Sequence, residues 1–226
     1  MKVNNSLEET IDAYGDDHVG SSATTPLRAD AFELSNPKKV ELIQEKVAAI
    51  LEILGMDLTD DSIKGTPNRV AKMYVNEIFG GLHPDKKPKA STFSNKYKYG
   101  EILVEKNITL YSTCEHHLLP IVGKAHVAYI STGTVVGLSK MNRIVQYYAQ
   151  RPQVQERLTI QIVEELKQVL GTEDVACVID AKHLCVNSRG IRDISSSTIT
   201  SEFGGAFKNK ETKREFLDYI QLDTEF

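Results

Sequence analysis

The sequence predicts an α+β fold, in which helices come first and strands follow, with a long pair of helices between the strands. Two observations predict this class. Apolar residues recur at helical spacing between residues 40 and 78 and again between 139 and 170. They alternate with polar residues around residues 108–129 and 175–179, as in strands. Separate runs of helices and strands are typical of α+β proteins.

Length and composition limit the class of protein. The 226 residues suffice for one sizeable core, and 41% hydrophobic with 26% charged residues is ordinary for a globular chain. A formal charge of −4 gives no global attraction for nucleic acid or an acidic membrane, so we expect neither as a partner. No apolar run suggests a membrane span or signal peptide. Three cysteines predict no disulfide framework, and we expect a reducing, cytoplasmic location.

Two helices are predicted after a polar arm. Residues 1–35 are polar, acidic and aperiodic, which predicts a flexible arm. The first helix starts beside Pro37 and stops at Gly55, and the second has Thr66 as its N-cap and ends at Gly80. Their apolar stripes comprise, for the first, Val40, Ile43, Val47, Ile50, Leu51 and Leu54, and, for the second, Val70, Met73, Tyr74 and Ile78.

Strands are predicted after a lysine-rich loop. The loop covers residues 85–98, and alternating segments at 108–111 and 124–129 follow it. A short strand over residues 135–138 leads to Ser139, which we expect to be the N-cap of the next helix.

The C-terminal half is predicted to alternate between helices and strands. Residues 139–170 form two helices broken near Pro152. A strand follows in which Cys177 belongs to the apolar, core-facing set rather than to a metal site. A last strand over residues 197–203 precedes a helix whose apolar face includes Phe216.

Two short clusters of soft metal ligands are the main functional feature. Cys114 and His117 are three residues apart in a predicted bend, so both can reach one ion. His183 and Cys185 are two apart, which places them on the same face of an extended strand. Cys114, His117 and Cys185 together make a Cys2His zinc site with an open position for water, as catalytic zinc requires. If His116 or His183 is a fourth ligand, the site is closed and structural; spacing leaves both possibilities open.

Five motifs in the same order carry a family resemblance. They are Thr66-Pro67-Asn68-Arg69-Val70-Ala71-Lys72-Met73, Cys114-Glu115-His116-His117-Leu118-Leu119-Pro120, Gly137-Leu138-Ser139-Lys140, Arg151-Pro152-Gln153-Val154-Gln155-Glu156-Arg157-Leu158-Thr159, and His183-Leu184-Cys185 with Arg189-Gly190. Together they closely resemble the GTP cyclohydrolase I family, and the likeness runs from about residue 38 to residue 222.

The resemblance implies a particular fold and assembly. Members of this family have the tunnelling fold, an antiparallel sheet with two helices that closes a barrel only by oligomerisation. They form toroidal homodecamers with active sites at subunit interfaces. On this basis we expect a flexible arm over residues 1–35, an N-terminal helical region over 36–98 and a tunnelling-fold catalytic domain over 99–226.

The resemblance also implies a reaction. GTP is converted to 7,8-dihydroneopterin triphosphate plus formate, the first step of tetrahydrofolate and pterin biosynthesis. Zinc, one per subunit, is held by Cys114, His117 and Cys185, and it supplies the nucleophile for attack at C8 of guanine by lowering the pKa of a bound water. His116 and His183 match the family's proton-transfer histidines. No redox cofactor is required.

The remaining matched residues concern the substrate GTP. Glu156 matches the family's guanine-binding glutamate, Gln155 matches its neighbour in the site, and Ser139 is the expected contact to the ribose. The triphosphate carries several negative charges and needs basic residues. The candidates for that role are Lys140, Arg143, Arg189, Arg69 and Lys72, the last two supplied across a subunit interface.

The sequence disfavours three other functions. Nitrile reductases of queuosine synthesis share the tunnelling fold but use a cysteine nucleophile and a nicotinamide cofactor. The histidines that flank both Cys114 and Cys185 argue against that chemistry. A non-enzymatic zinc module for assembly would need a closed site and would leave the basic residues without a role. A zinc peptidase is disfavoured because the sequence has no HExxH motif.

Overall fold

A computed structural model describes residues 21–89 and 91–223. The first twenty residues of the predicted arm therefore lie outside the described residues. The rest of the arm, residues 21–35, consists of extended backbone and turns without a helix or strand. No helix in the described ranges is long and apolar enough to cross a membrane.

Two helices form the N-terminal region. Helix α1 spans Asn36–Ile53, and Ser35 caps it by accepting a hydrogen bond from the Lys38 amide at 3.4 Å. Helix α2 spans Thr66–Met73 and continues as a π-helical turn over Tyr74–Ile78. The prediction that Thr66 is the N-cap was wrong by one residue: Gly65 holds that position, and the Thr66 hydroxyl instead accepts from the Arg69 guanidinium at 3.0 Å.

The apolar stripe predicted for α1 is only partly covered. Its first half packs towards α2, where Asn68 donates to the Gln44 side chain at 2.6 Å. At the C-terminal end of the stripe, Ile50 and Leu54 are more than half exposed, as is the neighbouring Ile53. The periodicity of the stripe was therefore a correct guide to the helix, but a single chain does not bury it.

The strands form two sheets. They are β1 (Thr92–Ser94), β2 (Ile102–Cys114), β3 (Pro120–Ile130), β4 (Thr134–Val136), β5 (Pro152–Gln153), β6 (Val175–His183) and β7 (Thr198–Phe203). β1 and β4 make an antiparallel pair, so the segment predicted as a loop over residues 85–98 contains a strand. The second sheet has the order β5-β2-β3-β6-β7; it is antiparallel except that β5 adds to β2 in parallel.

Helices α3 and α4 lie between β4 and β6 in sequence, as predicted. Helix α3 spans Leu138–Ala149 and α4 spans Gln155–Leu170. Two further helices follow β6, the short α5 (Leu184–Asn187) and the C-terminal α6 (Lys210–Gln221). The interruption between α3 and α4 contains β5, and Gly171 ends α4 in a left-handed conformation (φ +65°). The N-cap prediction for Ser139 was wrong, because α3 begins at Leu138 after an extended Gly137; β4 likewise ends at Val136 rather than at residue 138.

The main core lies between the large sheet and the α3–α4 pair. It contains the fully buried Leu110, Ile121, Ile144 and Leu158, each of which contributes roughly 1.5–3 kcal/mol by leaving water. Cys177 is completely buried in the same cluster, which confirms its prediction as a core residue; burial raises the pKa of its thiol. A smaller cluster under α6 packs on other residues of the strands. The mixed helix and sheet content predicted from the sequence is confirmed, and this rigid frame holds the ends of β2 and β6.

Candidate metal centre

Strand pairing brings the two ligand clusters together although about seventy residues separate them. At the start of β3, Pro120 pairs with Thr113 of β2 on one side, and the next residue, Ile121, pairs with His183 of β6 on the other. The C-terminal ends of β2 and β6 therefore flank the same end of β3. Cys114 closes β2, and His183 closes β6, so both clusters meet at one edge of the sheet.

The segment Cys114–Leu118, which we name the metal loop, is a tight turn with several fixed points. The Leu118 amide donates to the Cys114 carbonyl at 2.9 Å, and the Glu115 amide donates to the Gln153 carbonyl of β5 at 3.0 Å. Leu118 has φ +52°, a left-handed conformation that costs a residue other than glycine about 1–2 kcal/mol. This turn returns His117 towards Cys114, as the spacing predicted.

Three side chains form a compact donor group. The ligand atoms of Cys114, His117 and Cys185 all lie within 4.8 Å of one another, and the Cys114 Sγ to His117 Nδ1 distance is 3.9 Å. Tetrahedral zinc with ordinary bond lengths holds a sulfur and a nitrogen about 3.6 Å apart. Burial raises the pKa of the Cys185 thiol, the Cys114 thiol adds to this rise, and the Arg189 guanidinium opposes it. Two sulfurs and an imidazole nitrogen are ligands that zinc accepts, and a bound cation would favour the thiolate form of both cysteines, so the donor set fits zinc.

The local structure around Cys185 differs from the prediction. Strand β6 ends at His183, and Cys185 lies in the helical turn α5, so the two residues do not share a face of one strand. The turn carries Cys185 into the donor group and leaves His183 outside it. His183 instead places its Nε2 2.8 Å from Gln155 Oε1; because an amide oxygen only accepts, the imidazole is the donor.

The two histidines proposed as proton carriers lie beside the donor group. His116 Nδ1 is 3.9 Å from Cys114 Sγ, and its Nε2 is 3.8 Å from Glu115 Oε1. His183 is half-buried; burial lowers the pKa of its imidazole, and the Glu156 carboxylate opposes this shift. Among the residues that the structure describes, neither histidine belongs to the group whose ligand atoms lie within 4.8 Å. This arrangement favours three protein ligands over a closed site.

A cavity of about 600 Å³ opens beside the donor group. Its wall includes both histidines, the first turn of α4 and the N-terminal residues Ser21, Ser22 and Ala23. In that turn Gln155 is buried, and its Nε2 donates to the Ile179 and Thr198 carbonyls at 3.2 and 2.9 Å, so it joins α4 to the sheet as well as to His183. Glu156 also lines the cavity but is exposed. We name this cavity the metal pocket.

Comparison with known proteins assigns the family. The sequence model of the family described as GTP cyclohydrolase I matches residues 43–221. A GTP cyclohydrolase 1 of Flavobacterium johnsoniae is 73% identical over 224 residues, covering 99% of this chain and all of the relative. Its counterpart from Klebsiella pneumoniae is 52% identical over 204 residues, covering 90% and 92% of the two chains. The one from Salmonella arizonae is 50% identical over 217 residues, covering 96% and 98%.

The chain belongs to the GTP cyclohydrolase I family. The resemblance inferred from five motifs is thereby confirmed. The chain is accordingly an enzyme of the hydrolase class, not a nitrile reductase or a non-enzymatic zinc module.

The other residues matched to the family lie on different surfaces of the chain. Arg189 is exposed in the loop after α5 and acts electrostatically on Cys185. Lys140 and Arg143 line a separate cavity of about 340 Å³ between α3 and residues 76–89. Arg69 and Lys72 are exposed on α2, and Ser139 is exposed at the start of α3. In the chain as described, none of these residues lines the metal pocket with Cys114.

Three further residues with a place in these cavities were not predicted. Lys86 and Lys89 line the same cavity as Lys140 and Arg143, and we name that cavity the basic groove. The lysine-rich composition of the 85–98 segment was the available signal, but nothing in the sequence paired it with α3. Arg157 is buried in the wall of the metal pocket; it lies inside a quoted motif, yet only the fold reveals its partners.

Proposed function

We propose that this chain converts GTP to 7,8-dihydroneopterin triphosphate with release of formate, in a zinc-dependent reaction that begins tetrahydrofolate and pterin biosynthesis. The observation that carries the proposal is the donor group of Cys114, His117 and Cys185 beside the metal pocket, in a chain of this family. A cavity of about 600 Å³ is within the range of sites that enclose a small ligand.

Zinc would be held by this donor group, one ion per subunit. When bound there, zinc would supply Lewis acidity and lower the pKa of a water molecule. Two of the ligands come from the same edge of the large sheet, since Cys114 ends β2 and Cys185 lies just beyond β6. The chain itself therefore contributes a donor geometry that needs little rearrangement on binding.

His116 and His183 would move protons during opening of the imidazole ring of guanine. Positioned acid–base groups contribute about 10²–10⁴-fold to such steps. The hydrogen bond from His183 Nε2 to Gln155 Oε1 orients that ring, and Gln155 is itself held by carbonyls of two strands. This arrangement supports the role of His183 as a proton carrier, because its imidazole is held in one orientation.

Glu156 would recognise guanine, with Gln155 as its neighbour in the site. The N1 and exocyclic amine of guanine are N–H donors, and one carboxylate accepts from both. Glu156 supports this role because it faces the metal pocket from the first turn of α4. The exposed Ile160 follows one turn later on the same cavity wall and offers an apolar surface to the flat base.

The triphosphate would be bound by residues from more than one subunit. Lys140, Arg143, Arg189, Arg69 and Lys72 are the proposed phosphate ligands, and Ser139 is the proposed ribose contact. Because most of these lie on surfaces apart from the metal pocket of their own chain, we infer that neighbouring chains complete each site. A homodecamer in which tunnelling-fold sheets close into barrels provides such interfaces, and the exposed apolar end of α1 is consistent with assembly.

The decisive test is a GTP turnover assay on purified protein of known metal content. We expect formate release and pterin absorbance to rise together, with about one zinc per chain and loss of both signals on chelation. Zinc without turnover would contradict the proposal and indicate a structural site. Formate without the pterin would limit the activity to ring opening and would contradict the proposed product.

A further inference from the structure

A buried arginine joins three separate parts of the metal pocket. Arg157 lies in the first turns of α4, and its side chain is only 3% exposed. Its Nη1 and Nη2 donate to the two carboxylate oxygens of Glu115 at 2.6 and 3.1 Å. Its Nε donates to the Ser22 carbonyl at 2.7 Å. The guanidinium thus connects α4 to the metal loop and to the N-terminal segment.

The contact between Arg157 and the Glu115 side chain restrains the metal loop. Glu115 lies between the ligand Cys114 and the proposed proton carrier His116, and its own amide donates to the Gln153 carbonyl. A bidentate arginine–carboxylate pair specifies direction as well as distance, because both groups are planar. With both its backbone and its side chain held, Glu115 leaves the residues on either side little freedom to turn.

The contact with Ser22 forms part of the pocket wall. Ser21, Ser22 and Ala23 line the metal pocket together with the donor group, and this segment has neither helix nor strand to hold it. The Arg157 Nε hydrogen bond is a long-range anchor from the segment to α4. Losing it would free the segment from the guanidinium while leaving the sheet intact.

We propose that Arg157 is a positioning residue that acts through Glu115 on the metal loop and through Ser22 on the pocket wall. Charge alone is not sufficient for this role, since lysine lacks the planar fork that reaches both oxygens and a carbonyl at once. The effect of Arg157 on GTP turnover rests on the proposed function, whereas its effects on zinc affinity and on the N-terminal segment do not.

The test compares Arg157→Lys and Glu115→Gln with wild type in the full chain. The metal readout is competition for zinc against a chromogenic chelator, and the segment readout is hydrogen exchange of peptides covering residues 21–28. We expect Arg157→Lys to weaken zinc binding about 10-fold or more, as loss of groups that orient ligands does, and to speed exchange in the segment. Glu115→Gln should weaken zinc binding while leaving exchange near Ser22 unchanged, because the Nε contact persists.

Lys167→Met is the matched control. Lys167 lies on the same helix and pairs with Glu164 and Glu173 at 2.8 and 3.1 Å, at the end remote from the metal loop. We expect the zinc affinity, the hydrogen exchange near Ser22 and the kinetics of Lys167→Met to match those of wild type. If the control changed zinc binding as much as Arg157→Lys, a general weakening of α4 would explain the effect, and the proposal would fail.

Kinetics separate positioning from direct substrate contact. We expect Arg157→Lys to lower kcat with little change in the KM for GTP, and the double variant with Glu115→Gln to bind zinc no more weakly than the worse single variant. A raised KM with unchanged zinc affinity would mean that Arg157 contacts substrate and would overturn the proposal. If wild type bound zinc but did not turn over GTP, the proposed function would fail, while a weaker zinc affinity in Arg157→Lys would still support this inference.

Discussion

The metal pocket and the basic groove of this chain are constructed in different ways. Around the metal pocket the supporting side chains are buried and multiply bonded: Gln155 contacts two strands and His183, and Arg157 contacts the metal loop and Ser22. In the basic groove, Arg143 and Lys86 are exposed at the protein surface. The side chains of one region are held by several hydrogen bonds each, whereas the other region presents exposed charge.

The difference follows from the chemistry proposed for each region. Metal ligands must hold bond lengths within a few tenths of an ångström, which requires a rigid frame. Phosphate oxygens are numerous and highly charged, so long cationic side chains can find them from a surface. In the described part of the chain, the residues lining the basic groove include four cations and no carboxylate. The positive charge of such a surface is balanced when an anion or a neighbouring chain binds to it.

Cys185→Ser should have the largest effect, because it removes a metal ligand from the metal pocket. We expect zinc and GTP turnover to be lost together, measured by metal analysis and formate release on the same sample. Cys177→Ala is the control: it removes a thiol from the core, so stability should fall by about 1 kcal/mol while zinc is retained. Full zinc content in Cys185→Ser would refute the ligand assignment.

His116→Ala should separate metal binding from catalysis within the same pocket. His116 lies outside the donor group, so we expect about one zinc per chain. Turnover should fall by about 10²–10⁴-fold, because a positioned proton carrier is removed. Metal analysis and initial rates on one preparation check both parts. Normal turnover would show that His116 has only a structural role.

The sequence was a better guide to the metal pocket than to the basic groove for a physical reason. Cys114 and His117 belong to one turn, so their spacing alone brought them together correctly. The prediction that Cys185 lies beside Cys114 and His117 was also correct. The predicted strand at Cys185 was wrong, because β6 ends at His183 and α5 follows. Cys185 was located correctly despite the wrong local structure, because a helical turn and a strand both carry this side chain to the same edge of the sheet.

Other features depend on contacts that no local pattern encodes. The N-cap predictions for Thr66 and Ser139 failed because Gly65 and Gly137 hold the capping positions, with no side-chain hydrogen bond. The pairing of Arg157 with Glu115 joins residues 42 positions apart, and Lys86 lines the same cavity as Arg143 only because the fold brings residues 76–89 beside α3. Helical periodicity located α1 but gave no sign that its end stays exposed.

Co-expressing two impaired variants would test whether the metal pocket and the basic groove of different chains serve one site. We expect Arg143→Ala to raise the KM for GTP and to keep zinc, while His116→Ala keeps an intact basic groove. If each site combines the metal pocket of one chain with the basic groove of another, co-expressed variants should recover about a quarter of the wild-type sites by random assembly. Turnover per chain of the purified mixture measures this. Activity no greater than the average of the two separate variants would mean that each chain completes its own site.

Substituting the two lysines that the fold adds to the basic groove should have the smallest effect. Lys86→Gln with Lys89→Gln removes two exposed charges, so we expect the KM for GTP to rise several-fold and to depend less on salt, with kcat and zinc unchanged. Lys87→Gln is the control between them: Lys87 pairs with the buried Glu165 at 2.6 Å, so its loss should lower the melting temperature rather than change KM. If the double variant left KM and its salt dependence at wild-type values, Lys86 and Lys89 would not contact the triphosphate. The proposed phosphate site would then be confined to the residues on α3, on α2 and after α5.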